Sequence, residues 1–567
     1  MGQNASVQQD HAEIGHEKRQ FTSNSELMEF FDKRAVHMFT ATELAAFKSK
    51  LEGKTLKDPV RSEELTRWLR IPCENVLLCE AVYEFVRVLS NFPLMKDSFD
   101  DVTGVGLLKS VLLTNPSKCH KYVGVKNYDH MKLLFIALSM RKSVKEEPSC
   151  SSSTSLEDGG GSINLLRTYN NIVVDDLAIP ATSLVQLLAW LLILTSYCPT
   201  SNCQFPEDVV YAEWGSFKLA ATNLLRTMNN NIVTNLESYS VKFEQFSKAI
   251  STVMPNIFRA LQNVMEHLLY QDSDLVSFPS NSAGPILTSK PTTQAVLAQL
   301  ITALSNEMTF AKFQNLYVGR ESGFSMRSLQ AKVFKWMAPT VMLLSGKCVL
   351  DDEDFSKKNS RYRDFLSKYP KLKDRDQHLS DLQKNKTKVV FAVYIPEPWK
   401  TTNKDYFGGS GTTIVQLSPT QDVFKAASNE VMYFNTLGGG IGIGNNQPHI
   451  KNGVKSYSPG NVSLTIDSTL EFAAFRHVGY GGTFNPGLLL TQFNREDDPF
   501  EIKFLIQDVE VWGCGGKEEL EEQYKKWQWE EAEAKRRQNI NLRSFGEDRA
   551  LLEMAGLVGH SQNGGSM

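Results

Sequence analysis

The amino terminus carries the residues with the most specific chemistry. The chain begins MGQNAS, and removal of Met1 would leave Gly2 with a free α-amine. Gly2 with a serine at position 6 is the acceptor pattern for N-myristoylation, an acyl transfer to that amine. The sequence therefore predicts a lipid on Gly2 rather than an ordinary polar terminus. One myristoyl chain binds membranes reversibly, so stable attachment would need a protein partner at the membrane.

Two acids and one histidine are the candidates for acid–base chemistry. Glu471 and His477 are six residues apart on one predicted strand, too far apart for direct contact at the rise of a strand. Without a third group beside them, we interpret this pair as structural. Glu510 lies in an apolar strand next to Trp512, where burial could shift its pKa. Exposure at a sheet edge or a single ion pair would explain Glu510 equally well.

Familiar catalytic and metal motifs are incomplete in this sequence. The glycine-rich run Gly438 to Gly444 lacks the G-x-G-x-x-G register, and Thr412 stands where the nucleophile elbow begun by Gly408 needs a glycine. The cysteines lack the paired spacing of zinc ligands, so we interpret them as reduced, mostly buried thiols of a cytosolic protein. The sequence predicts no catalytic residue, no cofactor and no metal site. The eight cysteines are at positions 73, 79, 119, 150, 198, 203, 348 and 514.

Composition indicates a globular chain of several domains. Its 567 residues are 41% hydrophobic and 22% charged, enough for two to four domains. The net charge of -3 gives no reason to expect nucleic-acid binding, and the polar residues 7 to 25 do not form a secretory signal. The apolar run Leu184 to Tyr197 is shorter than a membrane span and contains Gln186, which favours a buried helix.

The first half of the chain has the pattern of a helical domain. After a disordered, lipidated segment 1–23, helical signals cover residues 24–270, with Thr40 and Glu43 forming a capping box. The Ser/Gly-rich segment 144–162 is predicted to be a flexible insertion, and 271–292 a linker. A faint likeness to a degenerate EF-hand near Phe30 and Phe31 lacks the acidic ligands of a calcium loop, so no calcium site is expected.

Period-two alternation then predicts an antiparallel sheet domain over residues 293–515. Apolar residues alternate with polar ones in each run, with glycine-rich turns between the runs. In the last run the apolar parity changes, which predicts a β-bulge near Gln507 and Asp508. The mixed-charge segment 351–387 is predicted to be a solvated, partly helical insertion. The predicted strands are 389–395, 412–417, 431–435, 462–466 and a final run from 502 to 511.

The C-terminal segment 516–567 is predicted to be a helical arm with a tail. Residues 517–537 begin with glutamates and end with Lys and Arg, which complements the helix dipole, and they contain i,i+4 pairs of opposite charge. Leu520, Tyr524 and Trp527 form an apolar stripe. Such an arm either packs on its own domain or enters the groove of a partner.

The order of several short motifs resembles that of the TLDc family across about residues 295 to 515. The matching motifs are RESGFS at 320–325, Pro398-Trp399, YFGGSG at 406–411, the glycine-rich run at 438–444, GGTFN at 481–485 and VEVWG at 509–513. The chain departs from the family pattern at Ser322, where an aspartate is usual, and in the long insertion 351–387. The layout is also similar to animal TLDc proteins with a myristoylated N-terminus and a C-terminal helix.

The resemblance implies a fold class and a function. The fold would be α+β: an all-helical N-terminal half, an antiparallel β-sandwich with flanking helices, and the C-terminal helical arm. The function would be non-enzymatic binding of vacuolar proton-pumping ATPase subunits, inhibiting or disassembling that pump. The protein would be cytoplasmic, held by its myristate on the cytosolic face of the vacuole membrane. A TLDc enzyme or oxidant-protection factor and a scaffold for membrane traffic are the alternatives.

Overall fold

The computed structural model describes most of both halves of the chain, which divides into two compact units, Met1–Ser280 and Asn281–Met567. The finer domain limits given above stay predictions, and the segments 144–162 and 271–292 lie outside the described residues. The described residues are 23–72, 74–94, 100–124, 128–139, 173–196, 212–229, 231–232, 235–269, 293–304, 313–349, 352–372, 388–451, 454–488, 500–514 and the single positions 525, 528, 529, 532, 533, 535, 536 and 554.

The described part of the first unit is helical, as predicted. The Thr40 side chain accepts a hydrogen bond from Glu43 N–H at the start of the second helix, and the Glu43 carboxylate accepts one from Thr40 N–H. These two bonds confirm the capping box. The helices are α1 (Asn24–His37), α2 (Ala41–Lys50), α3 (Ser62–Trp68), α4 (Val76–Ser90), α5 (Gly104–Thr114), α6 (Pro116–Val123), α7 (His130–Ser139), α8 (Ala181–Ser196), α9 (Trp214–Met228), α10 (Phe243–Thr252) and α11 (Arg259–His267). The short strands β1 (Ala178–Pro180) and β2 (Ser240–Lys242) lie between them.

Helix α8 is the apolar run that is too short for a membrane span. From Ser183 to Leu194 every residue of α8 is buried, including Gln186, whose side-chain oxygen accepts a hydrogen bond from Asn75. The interpretation as a buried helix therefore agrees with the structure. Among the described residues, no helix has both the length and the apolar character needed to cross a bilayer.

Four loops of the first unit are joined in pairs by short β-bridges. The backbone N–H of Val60 donates to Val102 O over 2.7 Å, and Ile179 pairs with Val241 between β1 and β2. These four residues are all buried. In each case the next helix begins two residues later, at Ser62, Gly104, Ala181 and Phe243. Two helix–loop–helix pairs bridged at one loop position have the geometry of paired EF-hands, which the sequence analysis detected only faintly and on the wrong helix, α1.

The second unit is built on strands. They are β3 (Gln314–Val318), β4 (Thr340–Cys348), β5 (Lys388–Ile395), β6 (Thr413–Ser418), β7 (Asp422–Lys425), β8 (Met432–Asn435), β9 (Gly440–Ile443), β10 (Asn446–Lys451), β11 (Val454–Ser458), β12 (Val462–Ile466), β13 (Phe472–His477) and β14 (Phe500–Gly513). Helices α12 (Gln294–Ala303), α13 (Gly319–Ser322), α14 (Met326–Val333), α15 (Asp352–Lys358) and α16 (Ser360–Lys368) accompany them.

The main sheet is antiparallel and strongly curved. Its strand order is β7-β6-β5-β4-β14-β13-β12-β9-β8, with β3 also paired to β14, while β10 and β11 form a separate hairpin. The rings of Phe424 on β7 and Phe475 on β13 lie 5.2 Å apart although four strands separate them in the sheet. The sheet therefore folds over one apolar core, which gives the two-layer packing of a sandwich.

Both terminal strands of this sheet are covered by irregular backbone. Beside β7, Asn485 N donates to Lys425 O over 2.9 Å. Beside β8, Phe407 and Met432 exchange two backbone hydrogen bonds, and Thr402 N donates to Phe434 O. Part of the backbone at both terminal strands is therefore paired within the unit.

Strand β14 contains the predicted bulge. Its register against β4 shifts between Ile506 and Asp508. Ile502, Phe504 and Ile506 enter the core before the shift, and Val509 and Val511 enter it afterwards. The extra residue thus keeps one face buried along the whole strand.

The described part of the segment 351–387 is helical, as predicted, but it is not fully solvated. Helices α15 and α16 pack on the outer face of the sheet, where Tyr362 and Phe365 form a second core with Phe472. Beside that core, Glu501 pairs with Arg476 at 2.7 Å and with Lys503 at 3.0 Å, and Lys503 also reaches Asp352 of α15 at 2.5 Å. The charges of this segment suggested full solvation, but Asp352 and Arg361 pair with Lys503 on β14 and Glu471 next to β13.

Candidate functional site

The predicted lipid and arm residues lie outside the described part of the chain. This holds for Gly2 and for the stripe Leu520, Tyr524 and Trp527. The described positions between 525 and 536 are helical, as predicted. Trp529 among them is 67% exposed, so at least one aromatic side chain of the arm faces solvent.

The three candidate acid–base residues are not brought together. Glu471 forms an ion pair with Arg361 of α16. Its backbone oxygen accepts a hydrogen bond from Ile506 N, four residues before Glu510 on β14. At about 3.3 Å per strand residue, Glu471 and Glu510 are roughly 13 Å apart along the sheet. The convergent polar pocket that an enzyme would need is therefore not formed by these residues.

His477 has the environment of a structural histidine. It is buried, its Nε2–H donates to Pro486 O over 2.6 Å, and its ring stacks parallel to Phe500 at 4.9 Å. Burial lowers the pKa of His477, so the imidazole is neutral at neutral pH. The interpretation of His477 as structural agrees with these contacts.

Glu510 is completely buried on the outer side of β14. Trp512 Nε1 donates to its carboxylate over 3.0 Å. Two residues away, Asp508 pairs with Arg320 of α13. Burial raises the pKa of Asp508, and the Arg320 guanidinium partly offsets that rise. These contacts fix α13 and the end of β14, so they have a structural role.

The short sequence motifs act mainly as determinants of this fold. Trp399 is buried, donates through Nε1 to Thr340 Oγ1 over 2.8 Å, and packs against Phe334 and Phe434. Phe484 is buried and bridges to Ala426 beside β7. Side chains used in this way are unavailable to a substrate.

The backbone of the loop that resembles a nucleophile elbow is held by side chains on either side of it. Gly408 N donates to Glu397 over 2.9 Å, and Ser410 N donates to Asn429 over 3.1 Å. The Thr412 hydroxyl donates to Gly408 O, so the residue that breaks the motif closes the turn. This loop has a structural account that needs no nucleophile.

The described residues also hold no metal centre. Among them, no group of three or more His, Cys, Asp or Glu side chains is arranged to bind a metal ion. Cys79, Cys119, Cys348 and Cys514 are free thiols, and Cys119 and Cys514 are buried. Burial raises the pKa of Cys119 to about 12, which makes its thiol unreactive at neutral pH.

One surface of the second unit has exposed apolar side chains, which suit binding more than catalysis. Gln330 of α14 donates to Thr401, and Asn403 bonds Thr436 at the tip of the β8–β9 hairpin, so these three segments form a continuous surface. Leu437 at that tip is 60% exposed. The sequence reasoning missed Leu437, although an apolar residue in a glycine-rich turn was a usable signal.

The C-terminal arm leaves the domain close to another exposed apolar residue. Cys514 N donates to Pro339 O over 2.9 Å, two residues from the exposed Met337. Met337 follows α14, the helix that contributes Gln330 to the same unit's surface. We call the exposed residues Leu437 and Met337 the arm-side surface, because Cys514, the last described residue before the arm, bonds Pro339 next to Met337.

The comparison with protein families gives the class to which this fold and its motifs belong. A family model described as TLDc domain matches residues 287–515, a range that contains the whole sheet from β3 to β14. The second unit therefore contains a TLDc domain, as its motif order predicted.

Relatives named Restriction of telomere capping protein 5 are similar over the full length. The relative from Zygosaccharomyces rouxii is 53% identical over 549 residues, covering 96% of this chain and 97% of the relative. That from Saccharomyces cerevisiae is 50% identical over 571 residues, and that from Kluyveromyces lactis 48% over 580, each covering 100% of both chains. The chain belongs to this family of TLDc domain proteins.

These relatives correct the predicted function and location. Their names concern restriction of telomere capping, and neither the names nor the TLDc description refers to a proton pump or a vacuole. The prediction of a vacuolar ATPase regulator on the vacuole membrane is therefore wrong. The motifs behind it consist largely of buried side chains and turn glycines, which specify a fold and carry little information about a partner.

Two motif glycines give a matched test of this structural reading. Gly440 has φ +67°, and a Cβ there would overlap the Ile466 carbonyl oxygen, whereas Gly323 has φ +83° with no heavy atom within 4 Å of a Cβ. We expect Gly323→Ala to cost about 1–3 kcal/mol for its backbone conformation alone, since φ +83° with ψ 139° is rare for residues with a side chain. Gly440→Ala should cost a further 1–3 kcal/mol, roughly, for overpacking. Urea unfolding of both variants checks this order, and equal losses would contradict it.

Proposed function

We propose that this chain is a non-catalytic binding protein that shares the role printed in its relatives' names, restriction of telomere capping. Identity of about half of all residues over the full length supports a shared role. One observation supports the absence of catalysis. Glu471, His477 and Glu510 each form a contact with a different neighbour and do not meet at one site. A catalytic reaction needs such groups to converge on one reacting atom.

Charge favours a protein partner over nucleic acid. The net charge is -3, and several cations of the mixed-charge segment on α15 and α16 are matched by acids. Lys358 pairs with Asp354 at 2.7 Å, and Lys368 pairs with Asp364 at 2.6 Å. Nucleic-acid binding depends on cations that are free to neutralise phosphates. The proposed role is therefore exerted through protein contacts.

The arm-side surface is the proposed contact region. An exposed leucine in a rigid hairpin tip can anchor a partner at little entropic cost, because its backbone is already fixed. Asn435 fixes this tip by accepting hydrogen bonds from Leu437 N at 2.9 Å and Gly439 N at 3.1 Å. Met337, near the last described residue before the arm, belongs to the same contact region.

The amino terminus adds a second mode of attachment. We propose that Gly2 is myristoylated on the strength of the MGQNAS sequence. The lipid would give reversible membrane association. Protein contacts would then decide which membrane, if any, retains the chain.

Isosteric substitutions test the absence of catalysis. In Saccharomyces cerevisiae lacking its relative and carrying a conditional capping defect, a protein that restricts capping should reduce growth. We expect Glu471→Gln and Glu510→Gln to reduce growth as much as the unchanged chain, because each amide keeps an acceptor oxygen. His477→Phe keeps the stacked ring and loses one hydrogen bond, on the order of 1 kcal/mol. A folded, equally abundant variant without the growth effect would indicate chemistry at that residue.

Two exposed leucines test the contact region. Leu437→Asp should abolish the growth effect and leave stability within about 0.5 kcal/mol, since the side chain is mostly in solvent. Leu219→Asp on α9 is the matched control, because Leu219 is 63% exposed. Growth and thermal unfolding measure both properties. Retention of the effect in Leu437→Asp would show that the arm-side surface is not the contact region.

Gly2→Ala tests the lipid. We expect the intact mass of the chain purified from yeast to include one myristoyl group and that of Gly2→Ala to lack it. The variant should also move from the membrane fraction toward the soluble fraction. An unmodified Gly2 amine in the parent chain would exclude the lipid while leaving the binding role open.

A further inference from the structure

The first loop of the first unit contains an internal cation held by oxygen atoms. The Lys54 ammonium lies 2.6 Å from each carboxylate oxygen of Glu64 and 3.3 Å from the backbone oxygen of Pro59. Both charged side chains are largely withdrawn from solvent, with exposed fractions of 32% and 24%. Three oxygens from two parts of one loop therefore converge on one positive charge.

The position of these oxygens in the loop is that of metal ligands. The bridged residues Val60, Val102, Ile179 and Val241 occupy position 8 of the twelve-residue EF-hand loop, since each following helix begins at position 10. Counting from Val60 makes Pro59 position 7 and Glu64 position 12. In calcium-binding EF-hands the backbone oxygen of position 7 and both carboxylate oxygens of position 12 are ligands. The Lys54 ammonium thus lies where those ligands would meet a calcium ion.

We propose that the Lys54 ammonium takes the place of the divalent cation in this loop and holds the first helix–loop–helix pair in its cation-bound arrangement without a metal. Substitution of Lys54 would then expose a latent calcium site. This inference concerns the first unit and does not depend on the proposed function of the second.

Comparison of the four loops supports the assignment. By the same count, position 12 is Glu64, Gly106, Ser183 and Gln245. Glu64 and Gln245 both accept a hydrogen bond from the backbone N–H of position 9, at 2.9 and 3.1 Å. Their structural contribution as caps is therefore the same. Glu64 alone adds a charge at position 12, and Lys54 at position 2 of the same loop neutralises it.

The neutralised carboxylate is coupled to the neighbouring loop. The hydrogen bond from Arg61 N–H to the Glu64 carboxylate fixes the start of α3. The residue before Arg61, Val60, donates its backbone N–H to Val102 O in the second loop. The hydrogen bond from Lys54 keeps the pKa of Glu64 below its usual value, which maintains the negative charge at neutral pH. Loss of the internal cation should therefore loosen the bridge between the two loops.

The test uses pairs of full-length variants that differ only at Lys54. Lys57 is an exposed residue at loop position 5, a ligand position, so Lys57→Asp supplies a carboxylate there. We expect Lys57→Asp alone to show no thermal response to calcium chloride, because Lys54 still fills the site. The double variant Lys54→Met/Lys57→Asp should bind calcium with a Kd of about 10⁻⁴ to 10⁻³ M. Its Tm should rise saturably with calcium.

Calorimetric titration and thermal unfolding measure these outcomes. The proposal would be overturned if the two variants responded equally, if neither responded, or if calcium did not restore an unfolded double variant to the folded state.

A second comparison uses no metal. Lys54→Met should lower Tm more than Lys57→Met does, and this excess loss should largely vanish when Glu64→Gln removes the charge that Lys54 neutralises. An undiminished loss in that background would also contradict the assignment.

Discussion

Backbone pairing along β14 is the constraint on which the TLDc domain depends. This single strand pairs with β13 over residues 500–505, with β4 over 504–513 and with β3 over 510–513. The two halves of the folded-over sheet therefore meet on one segment of chain. Because a strand alternates its faces with period two, only the shift at Ile506–Asp508 lets both segments of β14 point apolar residues into the same core.

That constraint explains why polar residues near β14 are structural. Glu501 and Glu510 point away from the main core, and both are nevertheless buried. Each is engaged by a donor: Arg476 and Lys503 for Glu501, and Trp512 for Glu510. An unpaired buried carboxylate would cost several kcal/mol, on the order expected for lost solvation, so these partners are needed for folding. The same residues look like catalytic candidates in a sequence, where their partners are not visible.

The sequence predicted features that depend on neighbours along the chain. The capping box of Thr40 and Glu43, the buried helix α8 and the bulge in β14 all follow from local pattern, and the structure contains each of them. The sequence did not predict the docking of α15 and α16, because Lys503, which binds Asp352, lies 151 residues away on β14. The pairing of Val60 with Val102 was missed for the same reason, since the helix–loop–helix pattern is recognised only when two distant loops are compared. Of the candidate site, the sequence identified His477 as structural, but it did not show that Leu437 is exposed, because exposure depends on the packing around the glycine-rich turn.

The covered terminal strands of the sheet limit how another molecule can be recognised. Many sheet proteins bind an extended peptide by adding it as a further strand, with main-chain hydrogen bonds supplying the affinity. At β7 and β8 part of that main chain is already engaged by residues 402–407 and 483–485. Addition of a strand at β7 or β8 would require these segments to dissociate from the sheet. Selectivity would then come from side-chain shape on turns and helices, and the same closure protects the domain from edge-to-edge aggregation.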